Sequence, residues 1–143
     1  MILPVILCVD DEIAVLDNLR DQLKKHFGKS YRYEFAQSAK EAWEVIEEIF
    51  ANGQKIVLII ADWLMPDVKG DMFLIEVHKR YPKIINVMLT GLTKDDAVEH
   101  AQKYADLFHR LHKPWHEKEL INTVHAALEK SSHKEEAGQE WSF

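Results

Sequence analysis

Cysteine is almost missing from the 143 residues. The single Cys8 excludes an internal disulfide, and its place between Leu7 and Val9 in an apolar run marks it as a small buried hydrophobe. That usage fits a reducing, cytoplasmic setting. Basic charge is also in short supply: 18 Lys and Arg stand against 24 Asp and Glu, for a net charge of −6. A surface of that sign lacks the clustered cations that nucleic acid or an anionic membrane requires, so neither is expected as a direct partner. Long hydrophobic runs are lacking too, since nothing approaches the roughly 20 apolar residues that cross a bilayer. The apolar start from Ile2 to Val9 has neither a basic flank nor a small-residue cleavage site. It runs straight into Asp10, Asp11 and Glu12, and reads as a strand rather than a signal core.

What is present, at 47% hydrophobic, suffices for one continuous core. Five short apolar runs, Ile2–Val9, Tyr31–Ala36, Ile56–Ala61, Ile84–Leu89 and Asp106–Leu111, alternate with segments of helical period. That alternation predicts an α/β fold with a parallel sheet. The run KIVLII is apolar at consecutive positions, as in a central strand covered on both faces. The first helix would bury Ile13, Leu16, Leu19, Leu23 and Phe27, and the second Ala42, Trp43, Ile46 and Ile49. A third would use Phe73, Ile75 and Val77 before Tyr81 and Pro82 stop it, and a fifth Leu120, Ile121, Val124 and Leu128. The fourth, around Ala97, Ala101 and Tyr104, has the least apolar area and is expected to shift most easily. Ser38 with Glu41 forms a capping box, and Thr93 with Asp96 a weaker one. From Ser131 onward no period remains. One domain over residues 1–130 and a polar flexible tail or linker over 131–143 are therefore expected.

In a doubly wound sheet, side chains just past the carboxyl ends of the strands converge on a crevice where the strand order reverses. The expected strands end in Asp10 and Asp11, in Asp62, in Thr90, and in Lys113 followed by Pro114. Three carboxylates brought together repel one another unless a cation sits among them. Three Asp and Lys113 leave a formal −2, which one divalent ion matches, and Mg²⁺ suits a few carboxylates, retained waters and phosphate oxygens. Taken singly each residue is ambiguous, because an Asp after a strand also caps helices and starts turns. The joint placement at four strand ends is what points to a site.

At these residues the sequence resembles the response-regulator receiver family, over about residues 2–130. Asp10 and Asp11 resemble its metal-binding acidic pair. Asp62, inside DWLMPDVKG, resembles its phospho-acceptor, with Met65, Pro66 and Gly70 behind it. Thr90 in MLTG resembles the switch hydroxyl, and Lys113 in HKPW the family's lysine, whose bond to the following proline is commonly cis. The resemblance implies a flavodoxin-like five-stranded sheet, order 2-1-3-4-5, with five helices on both faces. It implies that Asp62 is phosphorylated from a phosphohistidine on a sensor histidine kinase or phosphotransfer protein. Mg²⁺ would be held by Asp10, Asp11, Asp62 and the backbone carbonyl of Leu64, with Thr90 and Lys113 contacting the phosphoryl group. The surface over residues 94–130 would meet an output domain, a target or a second copy.

Two features depart from the family or particularise it. Arg110 stands three residues before the lysine, where the family usually places Tyr or Phe, so an altered switch is expected; Phe108, two residues earlier, is assigned to the same face by strand alternation. The rim residues two beyond Asp62 and Thr90 are Leu64 and Leu92, apolar groups expected to hinder an attacking water and prolong the phosphorylated state. A histidine metal site from His109, His112 and His116 is disfavoured, because His109 and His112 would face opposite sides of one strand. A haloacid-dehalogenase-type phosphatase would need a second Asp at Leu64, and a flavodoxin-like cofactor site would need a Ser, Thr or Gly-rich loop where Asp10, Asp11 and Glu12 stand. A non-enzymatic signalling switch is the expectation that remains.

Overall fold

The fold is described from a computed structural model, which describes residues 2–91 and 95–136. Five parallel strands, β1 (Val5–Val9), β2 (Arg32–Ala36), β3 (Ile56–Asp62), β4 (Ile85–Thr90) and β5 (Leu107–His112), lie in the order β2-β1-β3-β4-β5. Between them run α1 (Ile13–Phe27), a short 3₁₀ turn, α2 (Ala39–Ala51), α3 (Gly70–Arg80), α4 (Asp95–Tyr104) and finally α5 (Glu117–Glu136). The expected α/β class, strand order and helix count are all present.

Alternation along the central strands sorts the core into two layers. Val5, Leu7 and Val9 of β1 and Ile59 and Ala61 of β3 meet Ile46 of α2, Phe73 and Val77 of α3 and Ala101 of α4. Ile6 and Cys8, with Leu58 and Ile60, face Leu16, Leu19 and Leu23 of α1 and Leu120, Val124 and Leu128 of α5. Every residue of β3 is buried, which explains its unbroken apolar sequence. Cys8 is fully buried, and burial pushes its thiol pKa up, so it packs as an inert small hydrophobe. Among the described residues no helix is long and apolar enough to cross a membrane.

Several local expectations change. Ile13 and Tyr104, placed on buried faces by spacing, are 59% and 50% exposed; they are the first residue of α1 and the last of α4. The fifth strand starts at Leu107, and Asp106 turns into it with φ of 50°. Helix α5 continues through Glu136 with Ser131 buried, so the first six residues of the expected polar tail are helical. Nothing from Ser131 to Glu136 is Gly or Pro, so no strong breaker stops the helix past its last apolar stripe. The rest of that tail, with Leu92, Thr93 and Lys94, lies outside the described residues.

The parity of β5 is also corrected. Asn86 pairs with Leu107 but Val87 with His109, so an irregularity at Phe108 shifts the register. Arg110 then pairs with Met88, a member of the layer under α2, α3 and α4, whereas Phe108 packs with the α1 and α5 layer beneath Lys130. The two side chains lie on opposite faces. His109 and His112 pair with Val87 and Thr90, which keeps them on opposite sides as expected.

The start of α2 is secured twice. Ser38 Oγ accepts from Glu41 N–H at 3.1 Å, as its capping box predicts. Asp67, from the loop after β3, accepts from the N–H groups of Ala39 and Lys40 at 3.2 and 2.9 Å. Partial desolvation opposes its ionisation, yet these backbone donors prevail and hold its pKa below the ordinary carboxylate value. Asp67→Ala should therefore lower stability by about 1 kcal/mol, the usual worth of a lost helix-start cap. Urea denaturation at neutral pH checks this, with an unchanged slope.

Candidate functional site

β1 is flanked by β2 on one side and β3 on the other, so the connections leaving β1 and β3 diverge and open a crevice at the carboxyl edge. Asp10 follows β1, Asp62 ends β3, Thr90 ends β4 and Lys113 follows β5, all at that edge. The backbone holds them closely. Asp10 N–H donates to Ala36 carbonyl at 3.0 Å, Trp63 N–H to Leu89 carbonyl at 2.9 Å, and Lys113 N–H to Thr90 carbonyl at 2.7 Å. The Lys113–Pro114 bond is cis, as the family resemblance implied.

The side chains converge on one ammonium group. Lys113 Nζ lies 2.7 Å from Asp10 Oδ2, 3.2 Å from Asp62 Oδ1 and 3.5 Å from Glu12 Oε1. The 2.7 Å approach pairs the Lys113 ammonium directly with the buried Asp10 Oδ2. Asp10 Oδ1 accepts from Glu12 N–H at 2.8 Å. Asp11 is exposed, yet ligating oxygens of Asp10, Asp11 and Asp62 lie within 4.8 Å of one another. Among the described residues this is the group of acids, cysteines and histidines placed to share an ion, and the three histidines near β5 do not form one.

Burial and the neighbouring Asp10 charge raise the Asp62 pKa from 3.8 to about 6, although Lys113 and the Leu64 N–H oppose the shift. Asp10 is raised as well, chiefly by burial. Burial alone would lower Lys113, but Asp10 and Asp62 outweigh it and raise its pKa. One cation for three close carboxylates leaves −2 when all three are ionised. An all-oxygen donor set with that deficit fits a hard divalent cation. An open depression of about 570 Å³ gives access, lined by Asp11, Glu12, Asp62, Leu64, Met65 and Lys113 among others.

Gly70 shapes the floor. Its N–H donates to Trp63 carbonyl at 2.7 Å, and a Cβ there would stand 2.7 Å from Trp63 Cα and closer still to the Asp62 carbonyl oxygen. Only glycine allows α3 to start so near the Asp62 backbone. Thr90 is fully buried, and its Oγ1 donates to Leu111 carbonyl at 3.5 Å, a long bond that holds it weakly. Sequence reasoning gave no role to Glu12 beside Lys113, to Asp67 or to an Asp71–His100 contact. Each depends on partners far apart in sequence, which spacing alone does not reveal.

The fold and its crevice define a doubly wound α/β domain with a ligand site at the switch point, and comparison with known proteins narrows that class. The chain matches the family model of the response regulator receiver domain over residues 6–125. It is 32% identical over 124 residues to the hydrogenase transcriptional regulatory protein HoxA of Cupriavidus necator, covering 87% of this chain and 24% of that protein. It is 31% identical over 125 residues to the sensor kinase CckA of Brucella abortus, covering 87% and 12% respectively. The chain thus spans a quarter or less of the curated relatives it matches. A crystal structure of a CheY-like response regulator receiver domain protein from Methanospirillum hungatei superposes with a TM-score of 0.80 at 26% identity, covering 92% of this chain and 98% of that one. The chain belongs to the response regulator receiver domains of two-component signalling.

The raised Asp62 and Asp10 pKa values have a consequence for stability. An acid whose pKa is higher folded than unfolded favours the native state while it holds its proton, and that advantage is lost as pH rises. In metal-free protein, stability should fall between about pH 4 and pH 6, the span from 3.8 to about 6 set by Asp62. Asp62→Asn should flatten that fall and raise stability at pH 7, by on the order of 2–3 kcal/mol for a two-unit shift. Thermal melts across pH in the presence of a chelator decide it. A variant less stable than wild type at pH 7 would show that the acids are not in conflict.

Proposed function

We propose that Asp62 accepts a phosphoryl group from a phosphohistidine on a sensor histidine kinase or phosphotransfer protein. The observation that carries this reading is the Asp62 carboxylate at the end of β3, 3.2 Å from Lys113 Nζ and open to the depression beside Leu64. An Asp62 oxygen attacks phosphorus, the bond from phosphorus to the histidine nitrogen breaks, and that nitrogen leaves with the electron pair, so that an acyl phosphate forms. Lys113 is placed to offer its ammonium to a phosphoryl oxygen, and Asp10 and Glu12 keep it at the rim. Asp10, Asp11, Asp62 and the Leu64 carbonyl would hold Mg²⁺, which supplies positive charge against the transferring group.

The Thr90 hydroxyl would be the group drawn to the new phosphoryl oxygens, because its present bond is long and its backbone is tied directly to Lys113. With Arg110 on the Met88 face in place of an aromatic ring, the switch on this side of the sheet works through an extended cation. The surface formed by α4, β5 and α5 would carry the state to an output domain, a separate target or a second copy. A cytoplasmic setting suits that role. Leu64, 56% exposed at the rim, presents no polar group to orient water on the acyl phosphate.

Incubation with Mg²⁺ and phosphoramidate, followed by intact mass, should show one added phosphoryl group per chain in wild type and none in Asp62→Asn. Modification of Asp62→Asn, or many turnovers of donor without a phosphorylated chain, would contradict the assignment.

A further inference from the structure

The residues of the phosphorylation site leave one buried acid without a role. Asp71, in the first turn of α3, is 8% exposed, and its Oδ1 has no hydrogen-bond partner. Its Oδ2 lies 3.1 Å from His100 Nδ1 on α4. A carboxylate only accepts, so the ring donates from Nδ1. A desolvated carboxyl group with one partner loses much by parting from it, so this contact resists separation of the two helices. His100 is in turn packed edge-on against Tyr104, with ring centroids 5.2 Å apart.

The other end of this connection is the phosphorylation site. Asp71 follows Gly70, whose N–H is bonded to the Trp63 carbonyl and whose missing Cβ lets α3 press on the backbone of Asp62 and Trp63. A displacement of the Asp62–Trp63 backbone therefore moves the first turn of α3, and Asp71 with it. The alternative route along β5 has no aromatic ring to swing, because Arg110 occupies that position and the irregularity in β5 turns Phe108 to the opposite layer.

We infer that Asp71 and His100 are a positioning pair that couples Asp62 to α4 through the first turn of α3. The inference rests on the phospho-acceptor reading of Asp62. Coupling of this kind is reciprocal: the position of α4, set by whatever binds it, feeds back on the Asp62 loop.

Hydrogen–deuterium exchange over residues 95–104 of the full chain, with and without Mg²⁺ and phosphoramidate, tests it, with intact mass recorded on the same samples. Wild type should change its exchange in this segment on modification. His100→Ala should reduce that change by about fivefold or more, the smaller end of ordinary coupling between sites, while Asp62 still gains its phosphoryl group. Asp71→Ala should do the same. His100→Asn, which keeps a donor where Nδ1 stands, should retain the response, whereas a merely structural ring would not be rescued. A His100→Ala response equal to wild type, or a His100→Asn response as small as that of alanine, overturns the pair while leaving Asp62 as acceptor. Wild type that is never modified overturns both readings.

Discussion

Lys113 brings its ammonium from the end of β5 to the carboxylates at the ends of β1 and β3, and the geometry of the whole edge follows from that reach. Two unit charges about 4 Å apart interact by roughly 4 kcal/mol at an effective dielectric near 20. Net folding stability is only of order 5–15 kcal/mol. Acids as close as Asp10, Asp11 and Asp62 therefore cannot be indifferent to their single cation. The lysine reduces the conflict without removing it, and the raised pKa values of Asp10 and Asp62 record what remains. That residual charge is a deficit that a divalent cation would offset.

The scaffold fixes this conflict because its strands cannot relax. β3 is buried along its whole length between two layers of helices, so Asp62 is presented at a set height and depth. Gly70 presses α3 against the same backbone, and Asp67 ties the following loop to the start of α2. An added charge at Asp62 consequently meets rigid neighbours on the β1 side. Toward Thr90 the side chain is held only by a long 3.5 Å bond to the Leu111 carbonyl.

The sequence made the strands and the site legible for one reason: four of the five apolar runs of strand length lead into an Asp, a Thr or a Lys. Asp10, Asp62, Thr90 and Lys113 could be read because the parallel fold brings all strand ends to one edge. What stayed hidden depends on irregularity or on distance. No spacing rule places a bulge at Phe108, and without it strand alternation assigns Phe108 and Arg110 to one face. Helix α5 outruns its apolar stripe with Ser131 still buried, and Ile13 is exposed as the first residue of its helix. The Asp67 and Asp71 contacts join residues 28 and 29 positions apart, a separation that only the folded chain closes.

The most direct measurement is a Mg²⁺ titration of the folded protein followed by backbone amide shifts. Saturable changes confined to the loops after β1 and β3, with the amide of Lys113 responding and an Asp11→Ala variant failing to saturate, are the expected result. Amides at those positions that stay unmoved by Mg²⁺ would contradict the view that this acidic edge is built around a divalent cation.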